Sequence, residues 1–345
     1  MIRSRLRRTF ATSVVLCLLI LLLIFEEDAI RAARSALSGV MLHVIPALFP
    51  YMVLSSLLAG RIGRRIPPVL TRFFGLPGCG VTAILFGLLC GFPTGAALAV
   101  SAFRDGKLTS REASAVIAVS SCASPSFLLG TVSVVWQSPA FGRFLLAMQT
   151  VCALVAALLL RPRAVSCPAD SRDSKAIPSL LDALPASVST AAGACLNIAA
   201  YVTFFSVAAV LLGRALPPLS PVFRVLFEFS SGALYGAQLG GTVGAAVTGL
   251  AVGFSGLSVL SQIAAVAATH SLSLKPLLLT KIAAGIVLAV SSALFCRLHP
   301  MHPQAVVTVL SADFSVLPVA LITAALLLAR FLTNHADSKN LSDTT

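Results

Sequence analysis

The sequence predicts an all-α polytopic membrane protein with about eight transmembrane helices and two re-entrant hairpins in an inverted repeat. Three observations carry this. Of 345 residues, 57% are hydrophobic and 11% charged, with a mean hydropathy of +0.96. Soluble domains carry about 25% charged residues, and a single water-soluble core cannot hold this much apolar chain. Long apolar runs alternate with short basic segments, the pattern of spans and cytoplasmic loops. Two apolar runs are interrupted by a Gly-Phe pair, at Gly91-Phe92 and at Gly253-Phe254.

The same numbers exclude whole classes. Disordered chains, collagen-like repeats, disulfide-rich secreted scaffolds and ordinary cytosolic enzymes do not have this composition. The net charge of +13, from 25 Lys and Arg against 12 Asp and Glu, reads as positive-inside loops. No basic motif is interleaved with aromatics, so no nucleic-acid partner is expected. The eight cysteines form no C-x-x-C pair and sit mostly in apolar runs, where they act as small buried residues. No metal and no cofactor is expected.

The N-terminus places Arg3, Arg5, Arg7 and Arg8 before an apolar run from Phe10 to Phe25. Glu26-Glu27-Asp28 follow with no small-x-small site, so residues 1–34 read as an uncleaved anchor helix and loop with a cytoplasmic N-terminus. A second span, about 35–60, contains Pro46 and Pro50 and should kink. It ends at Arg61, Arg64, Arg65 and Arg72. Leu76-Pro77-Gly78 opens a run that breaks at Gly91-Phe92-Pro93-Thr94-Gly95 and resumes to Phe103. Each half is about a dozen residues, too short for a ~30 Å core that takes about 20. This is the first re-entrant hairpin. Arg104, Lys107 and Arg111 follow it.

Two ordinary spans come next, about 113–136, which holds Ser120-Ser121-Cys122-Ala123-Ser124-Pro125, and about 141–160. Residues 35–160 form the first repeat, and 161–184 a polar cytoplasmic linker. The second repeat, 185–297, opens with a span to Gly213, then a half-polar stretch with Arg224 and Glu228. Gly232 to Val252 is apolar, breaks at Gly253-Phe254-Ser255-Gly256 and resumes to about 269, the second hairpin. A span at about 276–296 closes the repeat. Residues 298–332 read as a C-terminal transmembrane helix and 333–345 as a polar tail.

The halves align locally. Gly87-Leu88-Leu89-Cys90-Gly91-Phe92 matches Gly249-Leu250-Ala251-Val252-Gly253-Phe254. Seven basic residues flank the first break, against Arg214, Arg224, Lys275 and Lys281 near the second, so the halves read as inverted. Paired interrupted segments point to a transporter binding site.

An ordered set of motifs carries a resemblance. Pro46-Ala47-Leu48-Phe49-Pro50-Tyr51, Gly91-Phe92-Pro93-Thr94-Gly95-Ala96, Ser124-Pro125-Ser126-Phe127, Glu228-Phe229-Ser230-Ser231-Gly232 and Gly253-Phe254-Ser255-Gly256-Leu257-Ser258, with Gln262 after them, resemble sporulation integral membrane proteins of the YlbJ type. That family is built from two nucleoside-recognition, or Gate, domains. The chain departs from it with Phe229-Ser230 in place of an Ile-Thr pair and with Phe92 where Tyr is commoner. The resemblance implies kinship with parts of concentrative nucleoside transporters and ferrous-iron transport proteins, and a role in endospore formation, particularly the cortex.

The candidate substrate residues are therefore Gly91, Phe92, Pro93, Thr94, Gly95, Ser124, Asn197, Glu228, Gly253, Phe254, Ser255, Gly256, Ser258 and Gln262. Helix ends at the breaks free backbone groups, which in hydrocarbon need protein, water or ligand. Glu228 is the acid nearest the membrane interior, and either serves a substrate or coupling proton or pairs with Arg224, four residues earlier. Asp313 ranks below it. A Gly-x-Ser-Gly sequence at Ser255 raises an intramembrane serine protease, with His299 or His302 as base, but these lie in a loop-like segment and catalysis would explain only one of the two breaks. No enzymatic activity and no catalytic residue is expected. His43 and His270 read as packing or interface residues. The expected partners are the bilayer, a small solute and a coupling ion, with a homo-oligomer left open. The expected location is the inner (cell) membrane, and the rival reading is a membrane scaffold in a developmental complex.

Overall fold

The computed structural model describes residues 2–62, 66–161, 179–268 and 270–301, excepting the side chains of 2–11, 43, 47, 59, 60 and 62. Every regular element among the described residues is helical. Arg64, Arg65, Cys167, His302, Asp313, most of the linker, all but the first four residues of the helix expected at 298–332 and the tail expected at 333–345 lie outside them.

The chain opens with α1 (Ile2–Ile24) and α2 (Glu26–Gly39). The acids that follow the first apolar run form the first turn of α2, where carboxylates favour the helix N-terminus. Asp28 pairs with Arg31 at 2.6 Å and with Arg214 at 2.8 Å, joining α2 to the far end of a later helix. These hydrogen bonds, Arg31's first and Arg214's second, hold the Asp28 carboxyl below its usual range. α2 runs through the boundary expected at residue 34. Pro46 cannot donate a backbone hydrogen bond, and the turn before it widens to a π-helix, Val40–Val44, where the Ile45 N–H reaches Val40 O. α3 (Ile45–Ile62) follows.

α4 (Pro68–Phe74) and α5 (Gly78–Cys90) meet at 82°. Gly75 makes this corner in the left-handed region, φ +64. α6 (Thr94–Arg104) then packs back along α5, so the first expected hairpin folds back on itself. α7 (Ser110–Ser120) starts on a capping box between Thr109 and Glu112 and unwinds at 121–124. A π-helical turn (Phe127–Val132) continues into α8 (Ser133–Val135). α9 (Pro139–Leu159) and α10 (Leu180–Ala215) are uninterrupted, and α10 starts before the expected 184/185 boundary.

α11 (Ser220–Phe227) and α12 (Phe229–Leu239) meet at Glu228 and pack on one another. α12 turns at Gly240 into α13 (Gly241–Phe254). α14 (Gly256–Ala268) and α15 (Lys275–Leu298) complete the described fold.

Three expectations are not met among the described residues. First, the helices there that are long and apolar enough to cross a membrane are Pro139–Leu159, Leu180–Ala215, Gly241–Ala268 and Lys275–Leu298, four in all or five with the bent α4–α5 pair, and the expected count of about eight is not reached within them. Breaks at Gly91, Ser121, Glu228 and Gly240 leave α5, α6, α7, α11 and α12 at 8 to 13 residues each. Second, the expected hairpin at Gly253–Gly256 does not fold back. α13 and α14 share almost no contacts and run on as one 28-residue apolar stretch. Fold-backs lie instead at Glu228, where α11 packs on α12, and at Gly240, where α12 packs back along α13 with Gly236 against Gly244 and Thr248. Third, the span expected at 113–136 is itself interrupted. The two Gly-Phe breaks thus differ in geometry, and their alignment does not carry an inverted repeat.

The outer surface is what hydrocarbon requires. Leu23, Leu159, Leu181 and Leu196 are each more than 70% exposed, an apolar surface too extensive for water. Inside, glycines let helices approach closely. Gly87 and Gly95 face Ser120, and Gly249 and Gly253, four apart on α13, face the backbone of α15.

Candidate functional site

Four helix interruptions converge. Gly91 has φ +80, and a Cβ there would sit 2.8 Å from Ser124 N, so only glycine permits this approach. The Phe92 N–H donates to Cys122 O at 2.9 Å. The first fold-back is thereby docked on the unwound segment after α7. Gln149, from α9, braces that segment: its Oε1 accepts from Ala123 N–H at 2.8 Å and its Nε2 donates to Ala123 O at 2.9 Å. One buried amide thus satisfies both backbone groups left free by the break.

Phe229 joins the halves. Its ring meets Phe92 edge-on at 4.9 Å and Phe127 at 4.8 Å, separations typical of favourable aromatic pairs. Gly256 lies against the same backbone; a Cβ there would be 2.9 Å from Phe229 N. Glu228 is 1% exposed and caps α12. Its carboxylate accepts from Ser230 N–H at 3.1 Å, Ser231 N–H at 2.6 Å and the Ser230 hydroxyl at 2.6 Å. The alternative pairing with Arg224 is not formed: that guanidinium lies over the Tyr235 ring, 5.6 Å from its centroid.

At the other break Ser255 is fully buried with φ +69, a left-handed conformation that costs a non-glycine residue free energy. Its hydroxyl donates to Val252 O at 3.3 Å and accepts from Lys281 Nζ at 2.9 Å. Lys281 is 5% exposed, two turns inside the apolar α15. Sequence reasoning counted it among loop charges; its place six residues into a 24-residue apolar helix was the signal that could have found it. Gln149 was missed as well, since a lone Gln in a span looks like any interhelical hydrogen-bonding group. A cavity of about 30 Å³ lies between Ser121, Cys122, Gln149, Gly253, Thr280 and Lys281, room for about one water.

Of the candidates, Gly91, Phe92, Ser124, Glu228, Ser255 and Gly256 meet in this centre. Pro93 caps α6, Thr94 begins it, and Gly95 packs on Ser120. Gly253 is a contact point for α15, with Phe254 beside Gly285. Gln262 donates to Ser258 at 3.3 Å within α14, both buried. Asn197 is exposed on α10 and does not join them. The pairing of Ser255 with His299 is not formed: Ser255 bonds to Lys281, and His299 lies 18 residues beyond Lys281, about 27 Å away at 1.5 Å per residue, while His302 lies outside the described residues. His299 stacks instead on Phe295. Among the described residues no three His, Cys, Asp or Glu side chains converge as a metal site, and seven cysteines are unpaired.

Long apolar helices around buried, interrupted ones define a multi-pass, all-helical integral membrane protein. More particularly, the chain is similar to the sporulation integral membrane protein YlbJ of Bacillus subtilis (strain 168). The two are 24% identical over 317 residues, covering 76% of each chain, which supports a YlbJ-type assignment. No family model matches the chain, and no solved structure matches it.

Proposed function

We propose that this protein is a permease, or a transport-related protein, for a small polar solute, nucleoside-like or otherwise, and that it acts in spore formation, at the cortex. The observation that carries the reading is the meeting of two fold-backs and two interrupted helices at Phe92, Ser124, Phe229 and Ser255, with Glu228 and Lys281 buried beside them. Ionisable side chains inside a membrane bundle are costly and mark solute or ion paths. Interrupted helices place polar backbone at membrane depth, which is useful only where protein or a water-filled cavity receives it. The protein acts without chemistry on its solute, in the cell membrane with the arginine-rich N-terminus in the cytoplasm. The relative's name supports the sporulation part of this reading.

A membrane scaffold is the second reading. It is favoured by the small cavity and by Glu228, whose hydrogen bonds are used in capping its own helix.

The test is a thermal-shift screen of the detergent-purified chain with nucleosides, nucleobases, small metabolites and divalent metals. Wild type runs beside Glu228→Gln and Ser255→Ala. A solute at about 100 times its dissociation constant stabilises by about 2.7 kcal/mol. A shift in wild type that both folded variants lose supports the permease. A flat response across the panel favours the scaffold.

A further inference from the structure

Lys281 is the one residue of the centre that its neighbours do not explain. Its Nζ carries three donors, and its side-chain partner is the neutral Ser255 hydroxyl. No carboxylate lies within ion-pair distance among the described residues. A buried cation without a counter-ion is expensive unless fixed dipoles receive it.

Two helix ends supply such dipoles. α7 stops at Ser120 and α13 at Phe254, and residues from both ends, Ser121 and Gly253, line the cavity that Lys281 lines. The C-terminal carbonyls of a helix carry about half a negative charge. In transporters with interrupted helices, such half-helix ends and unwound carbonyls hold the coupling cation. The serines at both ends behave alike: Ser121 donates to Ile117 O and Ser255 to Val252 O. Both hydroxyl oxygens keep lone pairs for a cation.

We propose that Lys281 is a tethered cation: its ammonium fills a site that two half-helix C-termini would otherwise offer to a free alkali ion, so that the coupling ion is the proton carried on Nζ. Coupling here rests on the permease reading above; occupancy of the site by a fixed cation does not. The geometry also accounts for the strained backbone at Ser255, which turns the hydroxyl of an interrupted helix onto Nζ while the helix continues.

The titratable groups facing Lys281 are Cys122, beyond the end of α7, and Cys152 of α9. α13 contains none. Glu112 is at the opposite end of α7, nine residues from Ser121 and about 13 Å away, held by Thr109. Arg111 and Arg143 are exposed. On α15 itself Lys275 and Arg297 are at the termini, and Cys296 is near the far end.

The test needs no solute. The full chain in detergent is melted across a pH series in sodium chloride and in choline chloride at equal ionic strength, as wild type, Lys281→Gln and Lys281→Arg. Wild type is expected to ignore sodium. Lys281→Gln, its site vacated, is expected to gain a saturable sodium-dependent rise in melting temperature. Lys281→Arg, with a permanent charge, is expected to ignore sodium and to lose part of the wild-type pH dependence. Sodium stabilisation of the wild type overturns the proposal, and so does a folded Lys281→Gln that behaves as wild type. If Lys281→Gln does not fold, the arginine variant decides: a pH profile superimposed on wild type overturns the proposal, and a flattened one supports it. Because the readout is cation dependence, failure here is distinct from failure to find a solute.

Discussion

Replacing Gln149 with leucine tests whether the break after α7 is held from outside its own helix. Leucine has a similar volume, so no large cavity opens and the change isolates hydrogen bonding. The structure shows two bonds from one side chain to one residue, at 2.8 and 2.9 Å, to the N–H and the C=O of Ala123. Ala123 is fully buried and Gln149 nearly so. Each backbone group left unpaired costs about 1–3 kcal/mol, so the loss lies at about 2–6 kcal/mol. One water in the neighbouring cavity can recover part of it, which places the expected value near the lower end. About 2 kcal/mol changes the folded-to-unfolded ratio by roughly thirtyfold. Equilibrium unfolding in detergent measures this. Hydrogen exchange at Ala123 locates it, with protection there falling while α9 stays protected. A folded Gln149→Leu chain within about 0.5 kcal/mol of wild type, the range of surface substitutions, refutes the claim that Gln149 braces the break.

Four further outcomes are expected. Gly253→Val should destabilise by about 1–3 kcal/mol or more, because its Cβ would fall 2.6 Å from the Ala284 carbonyl carbon and 2.7 Å from Gly285 Cα; a melting temperature equal to wild type counts against the α13–α15 contact. Glu228→Ala removes the acceptor of two backbone N–H groups and should cost about 1–2 kcal/mol as a lost helix cap, with Glu228→Gln closer to wild type in the same unfolding assay. Asn197→Ala, on the exposed face of α10, should leave stability within about 0.5 kcal/mol and leave any solute-induced thermal shift unchanged. Asp28 has a lowered pKa in the folded chain because of Arg31 and Arg214. Its contribution is therefore complete above the unfolded carboxylate range and lost as pH falls through the lower folded value. The melting-temperature gap between wild type and Asp28→Asn should close on acidification and shrink with salt.

Which parts of this architecture were legible in the sequence follows from what each residue type does locally. Hydropathy identified α9, α10 and α15 within a few residues, because a helix facing lipid needs only a long apolar run. Gly91-Phe92-Pro93 announced a break, since glycine and proline act on the backbone of their own segment. Direction was another matter. Gly91-Phe92 and Gly253-Phe254 look alike as strings, yet the first folds back against Ser124 and Cys122, while the second runs on because Gly256 seats against Phe229 and Gly253 against α15. The break at Ser121–Ser124 read as an ordinary span because its compensation, Gln149, is 26 residues away. Lys281 read as a loop charge because charge counting along a chain does not know what the side chain faces. Asn197 read as a site residue for the same reason and faces outward instead. The sequence by itself determined that this is an all-helical membrane protein and where several of its helices stop, which are local matters of hydropathy and backbone freedom. Tertiary structure decided which stops become hairpins and which polar side chains meet, because both depend on contacts between residues distant in the chain.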